Sequence, residues 1–236
     1  MRLQDYQIYD GKLSEIKEGK VLINTTNAHS YNVSLIDKEF EVALRNSDVL
    51  IPDGVSIVWA IKWLTGKSIK KIAGVDLFFY EMERLNQSCG ACFFLGSSEE
   101  TLSKIQERLK TDYPNVVAGS YSPPFTEQFT ENESNKMIDV VNEFNPDVLF
   151  IGLTAPKQEK WAYKYFDRLE TGHICCIGAV FDFYAGNIHR APDWMINLGL
   201  EWLYRLGKEP KRMWRRYVLG NIKFIYFIFR EKYLET

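Results

Sequence analysis

The chain has 236 residues, of which 46% are hydrophobic, 25% charged and 14% aromatic, a composition that excludes disordered, collagen-like and disulfide-scaffold proteins. Four cysteines are too few for a secreted disulfide framework and point to a reducing compartment. The net charge of −2 conceals an asymmetry: residues 190–236 carry ten Lys/Arg against five Asp/Glu, while residues 1–189 are net −7.

Short apolar runs alternate with amphipathic stretches. In chain order, the strands are expected at Val21–Thr25, Asp48–Ile51, Ala91–Leu95, Val116–Gly119, Val148–Gly152 and Ile174–Gly178. Helices are expected near 32–45, 55–65, 75–87, 99–112, 131–144 and 157–169; in 99–112, for example, Leu102, Ile105 and Leu109 recur at helical spacing. Buried strands separated by helices of this length are βαβ units, so the fold class is α/β: a Rossmann-like, mostly parallel sheet with helices on both faces. Residues 1–192 are read as this core and 193–236 as a basic, aromatic helical appendage. The start of the chain has no apolar signal-peptide run. The run Phe224 to Phe229 is far short of the roughly 20 residues that span a bilayer.

Ligands of open α/β sheets bind at the carboxyl ends of the strands, where glycine permits close approach and helix starts offer free N–H groups. Five such strand ends are polar or glycine-bearing here: Thr25-Thr26-Asn27, Pro52-Asp53-Gly54, Gly96-Ser97-Ser98, Gly152 through Gln158-Glu159, and Gly178 through Asp182. Together they suit a nucleotide-sized site. No G-x-G-x-x-G follows the first strand and no Walker-type loop occurs, which argues against an ordinary NAD domain and a P-loop NTPase. The lack of an Asp-x-Asp pair argues against metal-dependent chemistry on a nucleotide diphosphate.

Several residues have both a plain and a sharper reading. Cys89-Gly90-Ala91-Cys92 precedes a strand instead of following one, and the adjacent Cys175-Cys176 point to opposite faces, so the cysteines read as structural. His29 could face the site, but a simple polar loop role suffices. Asp53, at a sharp turn over the sheet edge, could take a proton from a hydroxyl; by spacing alone a helix cap is the plainer reading. Arg205, Lys208, Arg212 and Arg215 fall at helical spacing, with Arg216 beside them and Trp202, Leu206, Trp214 and Tyr217 interleaved. Such an element can lie on anionic lipid or hold a diphosphate. Nucleic acid is not favoured, because the acidic body continues no basic track.

Taken together these segments resemble the WecG/TagA/CpsF family of bacterial glycosyltransferases over about Val21 to Phe229. The carrying residues are Thr25-Thr26-Asn27, Pro52-Asp53-Gly54, Ala73-Gly74-Val75-Asp76-Leu77, Ser122-Pro123-Pro124-Phe125, Gly152 through Gln158-Glu159, and the long block from Gly178 to Tyr217 with Arg190-Ala191-Pro192, Gly199-Leu200-Glu201-Trp202 and Glu209-Pro210-Lys211-Arg212. The resemblance implies a cytoplasmic enzyme, peripheral on the inner face of the bacterial membrane. Such an enzyme transfers a sugar from a UDP-sugar to a polyprenyl-diphosphate-linked saccharide in cell-surface polysaccharide synthesis, with inversion, without a metal and without a cofactor. It implies an N-acetylmannosamine-type, uronic acid or glucose-type sugar and leaves the oligomeric state open, a homo-oligomer included. It also implies Asp53 as the general base, with Thr25, Asn27, Lys71, Gly152, Gln158, Glu159, Gly178, Asp182, Arg205, Arg212, Arg215 and Arg216 on the substrates. Two departures stand out: Lys71 replaces the family's usual arginine, turning a bidentate fork into a point charge, and Gly54-Val55-Ser56 replaces Gly-x-Gly. The competing class is a non-catalytic or redox nucleotide-binding protein whose C-terminal segment is a partner interface.

Overall fold

In the computed structural model the described residues are 2–234, with all side chains except those of Asp193, Asn197, Arg212 and Arg216. Six strands form one sheet: β1 (Val21–Thr26), β2 (Val49–Pro52), β3 (Ala91–Gly96), β4 (Val117–Tyr121), β5 (Val148–Gly152) and β6 (His173–Cys176). Their order is β2-β1-β6-β5-β3-β4, and every pairing is parallel. All carboxyl ends therefore lie on one edge, and the expected mostly parallel sheet is wholly parallel.

The helices of the first part of the chain are α1 (Ala28–Ser34), α2 (Lys38–Arg45), α3 (Val55–Thr65), α4 (Gly74–Ser88), α5 (Glu99–Asp112), α6 (Glu131–Phe144), α7 (Lys157–Lys164) and α8 (Val180–Tyr184). They are followed by α9 (Asp193–Asn197), α10 (Glu201–Lys208), α11 (Pro210–Trp214), a π-helical turn (Arg215–Leu219) and α12 (Gly220–Leu234). Side-chain chemistry fixes several starts. Thr130 and Glu133 form a reciprocal capping box at α6, with N···O distances of 2.8 and 3.2 Å. Ser98 caps α5, whose first turn carries Glu99 and Glu100.

Strand alternation divides the core. Val148, Phe150 and Cys175 pack with α4, α5 and α8 on one face. Leu149, Ile151 and Cys176 pack with α6 and α7 on the other, so the adjacent cysteines do face opposite ways. A third cluster joins Leu3 and Tyr6 to Tyr31, Phe40, Leu44 and Ile57, and is closed by Phe224 and Ile228 of α12.

The structure departs from the sequence reading in several places, among them the helix expected near 157–169, which ends at Lys164. The single helix expected near 32–45 is two. Asn27 caps a helix starting at Ala28, Ser34 donates back to the Tyr31 carbonyl, and the Asp37 carboxylate caps a new start by accepting from Phe40 N at 3.0 Å. The last strand stops at Cys176, because the N–H groups of Ile177 and Gly178 both turn to the Ile151 carbonyl and Gly178 has φ +38°. The basic residues at helical spacing do not share one face: α10 ends at Lys208 and Pro210 opens α11. Among the described residues no helix is long and apolar enough to cross a membrane.

Candidate functional site

The common strand edge opens into a cleft of about 850 Å³, within the range of ligand sites. Along the edge from β2 to β4 stand, in spatial order, Asp53, Thr25 and Asn27, then Gly178 and Asp182, then Gly152, Gln158 and Glu159, and finally Ser97, Ser98 and Phe125. Six strands spaced by about 4.8 Å give an edge of roughly 24 Å, long enough for a sugar nucleotide and the sugar that receives its load.

The β2 end is pinned from both sides. Asp53 N donates to the Thr26 carbonyl at 2.8 Å, and Ile72 N donates to the Pro52 carbonyl at 3.2 Å. Gly54, at φ +150°, begins α3 without any side-chain cap. The Asp53 carboxylate thus does not cap that helix, and it accepts no hydrogen bond from a described side chain or backbone group. It is half-buried on the cleft floor. Its pKa is pushed up to about 6, first by desolvation, then by the Glu201 carboxylate, against the opposing pull of Lys71; Asp76 and Arg205 act more weakly in the same two directions.

Asn27 spends its Oδ1 on the N–H groups of His29 and Ser30, at 3.0 and 3.1 Å, which turns its amide nitrogen free for the cleft. The Asp182 carboxylate accepts from Asn187 Nδ2 at 3.4 Å, and Asn187 also donates to Thr101 at 2.9 Å.

At the centre, glycine is demanded by close approach. A Cβ on Gly96 would stand 2.5 Å from the Gly152 carbonyl oxygen, and one on Gly152 would stand 2.8 Å from the Phe181 ring. Beside this crevice, Ser97 and Thr154 hold positive φ angles of 61° and 69°, uncommon for residues with a Cβ and steeply so for β-branched threonine. The helix α7 starts here without a side-chain cap, its Gln158 N–H already donating to the Thr154 carbonyl at 3.2 Å.

Gln158 Nε2 donates to Glu159 Oε1 at 3.0 Å. Both side chains are buried, and Gln158 Oε1 and Glu159 Oε2 have no partner in the described structure. Desolvation pushes the Glu159 pKa up to about 7, so this carboxyl is largely protonated below neutrality. Unsatisfied buried polar atoms beside a cleft are expensive unless a ligand engages them.

Of the residues singled out from sequence, Asp53, Thr25, Asn27, Lys71, Gly152, Gln158, Glu159, Gly178, Asp182 and Arg205 all line this one cleft. Arg215 does not: it is exposed, on the π-helical turn. The side chains of Arg212 and Arg216 lie outside the described residues. Phe224 is buried against Tyr31, with ring centroids 5.5 Å apart, while Trp214 and Ile225 are exposed. None of the cysteines lines the cleft. Among the described residues no group of three or more His, Cys, Asp or Glu side chains could hold a metal ion.

The sequence reading missed Glu201, Trp202 and Tyr217 as cleft residues. Glu201 accepts ion pairs from Lys71 Nζ at 3.5 Å and Arg190 Nε at 3.6 Å. The available signal was its place in the Gly199-Leu200-Glu201-Trp202 block, one turn before Arg205.

A sequence profile described as "Glycosyl transferase WecG/TagA/CpsF family" matches residues 7–236. The chain is 31% identical over 195 residues to the N-acetylglucosaminyldiphosphoundecaprenol N-acetyl-beta-D-mannosaminyltransferase of Bacillus spizizenii, covering 82% of this chain and 73% of that protein. It is 28% identical over 211 residues to the enzyme of the same name from Bacillus subtilis, covering 89% and 80%. With a match over nearly its whole length, the chain belongs to the WecG/TagA/CpsF family of glycosyl transferases.

Proposed function

We propose that this glycosyltransferase moves an N-acetylmannosamine-type sugar from a UDP-sugar to a polyprenyl-diphosphate-linked saccharide, with inversion at the anomeric carbon and without a metal. The observation that carries the reading is the Asp53 carboxylate: half-buried on the cleft floor, without a hydrogen-bond partner and raised in proton affinity. The acceptor and the sugar are suggested by the names of the two Bacillus relatives.

In this reading Asp53 takes the proton of the acceptor hydroxyl as its oxygen attacks the anomeric carbon. The bond from that carbon to the diphosphate oxygen breaks, its electron pair leaves with UDP, and attack opposite the leaving group inverts the centre. Lys71, Arg205 and the positive dipole end of α7 offset the charge that grows on the diphosphate. Asp53 lies at the β2 end and α7 follows β5, an arrangement that supports acceptor and nucleotide on opposite sides of the β1–β6 centre. Gln158, Glu159 and Asp182 then belong to the donor side, with Thr25 and Asn27 between.

The same reading makes residues 193–236 an appendage that closes the cleft and rests on the inner face of the cytoplasmic membrane. In support, Trp202, Arg205 and Tyr217 line the cleft, while Trp194, Leu198, Trp214, Leu219 and Ile222 of the same segment are exposed. The competing binding-only class needs no chemistry from Asp53. The test is a panel of UDP-sugars offered with a short-chain polyprenyl-diphosphate-linked acceptor, in excess chelator after desalting. Transfer of one sugar with inverted configuration supports the proposal; loss of all turnover, restored only by Mg²⁺ or Mn²⁺, overturns its metal-free part.

A further inference from the structure

The cleft holds a second carboxylate that the proposed chemistry leaves without a task. Glu201, the first residue of α10, lines the same cleft as Asp53. One of its oxygens lies 3.5 Å from Lys71 Nζ and the other 3.6 Å from Arg190 Nε. Both cations are mostly withdrawn from solvent, and Arg190 Nε has no hydrogen-bond partner among the described residues. Charged groups face Asp53 from three directions: Lys71 from the segment before α4, Asp76 from α4, and Glu201 with Arg205 from α10. Asp76 is committed, since its carboxylate accepts from Ala73 N at 2.8 Å in capping α4.

A lysine close to a catalytic carboxylate is a hazard for a general base. Direct pairing holds a carboxylate ionised but strips its basicity, commonly by one to three pKa units. A base matched to a proton transfer near neutrality needs the opposite bias. We propose that Glu201 is a positioning residue for the reaction, binding Lys71 through one oxygen while Arg190 holds the other, so that the lysine does not close on Asp53 and Asp53 stays basic enough to accept a proton. The inference rests on the proposed role of Asp53. Lys71 is a single-point ammonium held by one carboxylate oxygen, which leaves the other oxygen for Arg190. The same two pairs fasten α10 to the loops 66–73 and 186–192.

The experiment reads the Asp53 proton directly. Protein labelled with ¹³C at the aspartate side-chain carboxyl is titrated by NMR, with the Asp53 signal assigned by its loss in Asp53→Asn. In Glu201→Gln, which keeps the shape and removes the charge, the Asp53 midpoint is expected to fall by about one pH unit, a tenfold loss of proton affinity. The acid limb of kcat should move by the same amount, with a smaller change in donor KM. Glu201→Asp, which restores the charge, should return the midpoint toward the parent value. In the double variant Lys71→Gln, Glu201→Gln the midpoint should also rise again, because the nearest cation is gone.

An unchanged Asp53 midpoint in Glu201→Gln would overturn the inference. So would a fall that persists in full in the double variant, because the lysine would then not be its cause. Should the gain and loss of proton affinity follow the expected pattern while no variant or parent transfers sugar, the functional reading fails and the electrostatic inference stands. If Glu201→Gln does not fold, Glu201→Asp and Lys71→Gln are compared instead. Lys71→Gln must then raise the Asp53 midpoint, and a lowered or unmoved midpoint overturns the inference.

Discussion

The Glu231 carboxylate, on the last helix, accepts the backbone N–H of Leu3 at 2.7 Å and that of Gln4 at 3.1 Å. The two ends of the chain are thereby tied together over α1, with the Glu231 side chain buried. Glu231→Ala would leave the Leu3 N–H buried without an acceptor, at a cost of about 1–3 kcal/mol. Phe224→Ala would open a cavity against Tyr31 and cost about 3–5 kcal/mol. Both are expected to lower the denaturant midpoint without changing the slope, read by chemical unfolding. A loss below 0.5 kcal/mol for both would mean that α12 rests on the core without supporting it.

Asp53 makes opposite demands on turnover and on stability. Its pKa in the folded protein, about 6, is above the ordinary carboxylate value, so the stability contributed by its protonated form is present below that ordinary value and is lost as pH rises through 6. Asp53→Asn is therefore expected to unfold at a higher temperature than the parent at pH 7 and above, with the difference shrinking toward pH 4. In transfer assays the parent's kcat should climb as pH passes through about 6, and the variant should be at least 10²-fold slower. Calorimetry and a pH–rate profile check the two halves separately. A variant as active as the parent removes Asp53 from the role of base.

The strands were legible because Val148–Gly152 and its neighbours are buried on both faces and read as unbroken apolar runs. The helices at 55–65, 99–112 and 131–144 were legible to the residue because Gly66, Ser98 and Thr130 mark their ends. The split between α1 and α2 was not, because it depends on where Ser34 and Asp37 send their hydrogen bonds. For the site, the rule that ligands meet carboxyl strand ends was enough to gather Asp53, Asn27, Gln158 and Asp182 on one edge. It could not separate Arg205, which enters the cleft, from Arg215, which is exposed. That difference arises from the helix break at Glu209 and the π-helical turn, neither of which has a periodic signature.

The Gly96–Gly152 approach offers a test of how the crevice is built. Gly96→Ala would set a Cβ against the Gly152 carbonyl at a φ of +118°. Conformational strain of about 1–3 kcal/mol adds there to the cost of overpacking, about 1–3 kcal/mol. Gly152→Ala meets the Phe181 ring first, a side chain and not backbone, and carries no positive-φ strain, so it should be the milder change in stability. Because Phe181 is next to Asp182, Gly152→Ala should instead raise the donor KM. Thermal unfolding and steady-state kinetics on both variants distinguish the two effects. Equal destabilisation with unchanged KM would mean that the crevice merely packs the sheet.

The last prediction concerns the exposed side of the C-terminal segment. Trp214, Leu219, Ile222 and Ile225 are exposed there, and Arg215, Lys211 and Lys223 are exposed on the same stretch of chain. Apolar side chains beside basic ones suit an anionic lipid surface, where each Lys/Arg contributes about 1 kcal/mol and the attraction falls off within a Debye length. Arg215→Ala with Lys211→Ala should therefore weaken binding to vesicles containing anionic lipid by roughly 10–30-fold at low salt, and by less as salt rises. Trp214→Ala should weaken it at any salt, because it removes apolar burial and no charge. None of these side chains lines the cleft. Transfer to a soluble short-chain acceptor should accordingly persist in all of them, while transfer to acceptor embedded in vesicles falls in step with binding. Vesicle co-sedimentation at two salt concentrations, run beside the two transfer assays, separates docking from chemistry. Variants that sediment with vesicles like the parent at both salts would return this face to an ordinary solvated surface, and the membrane reading would have to be given up.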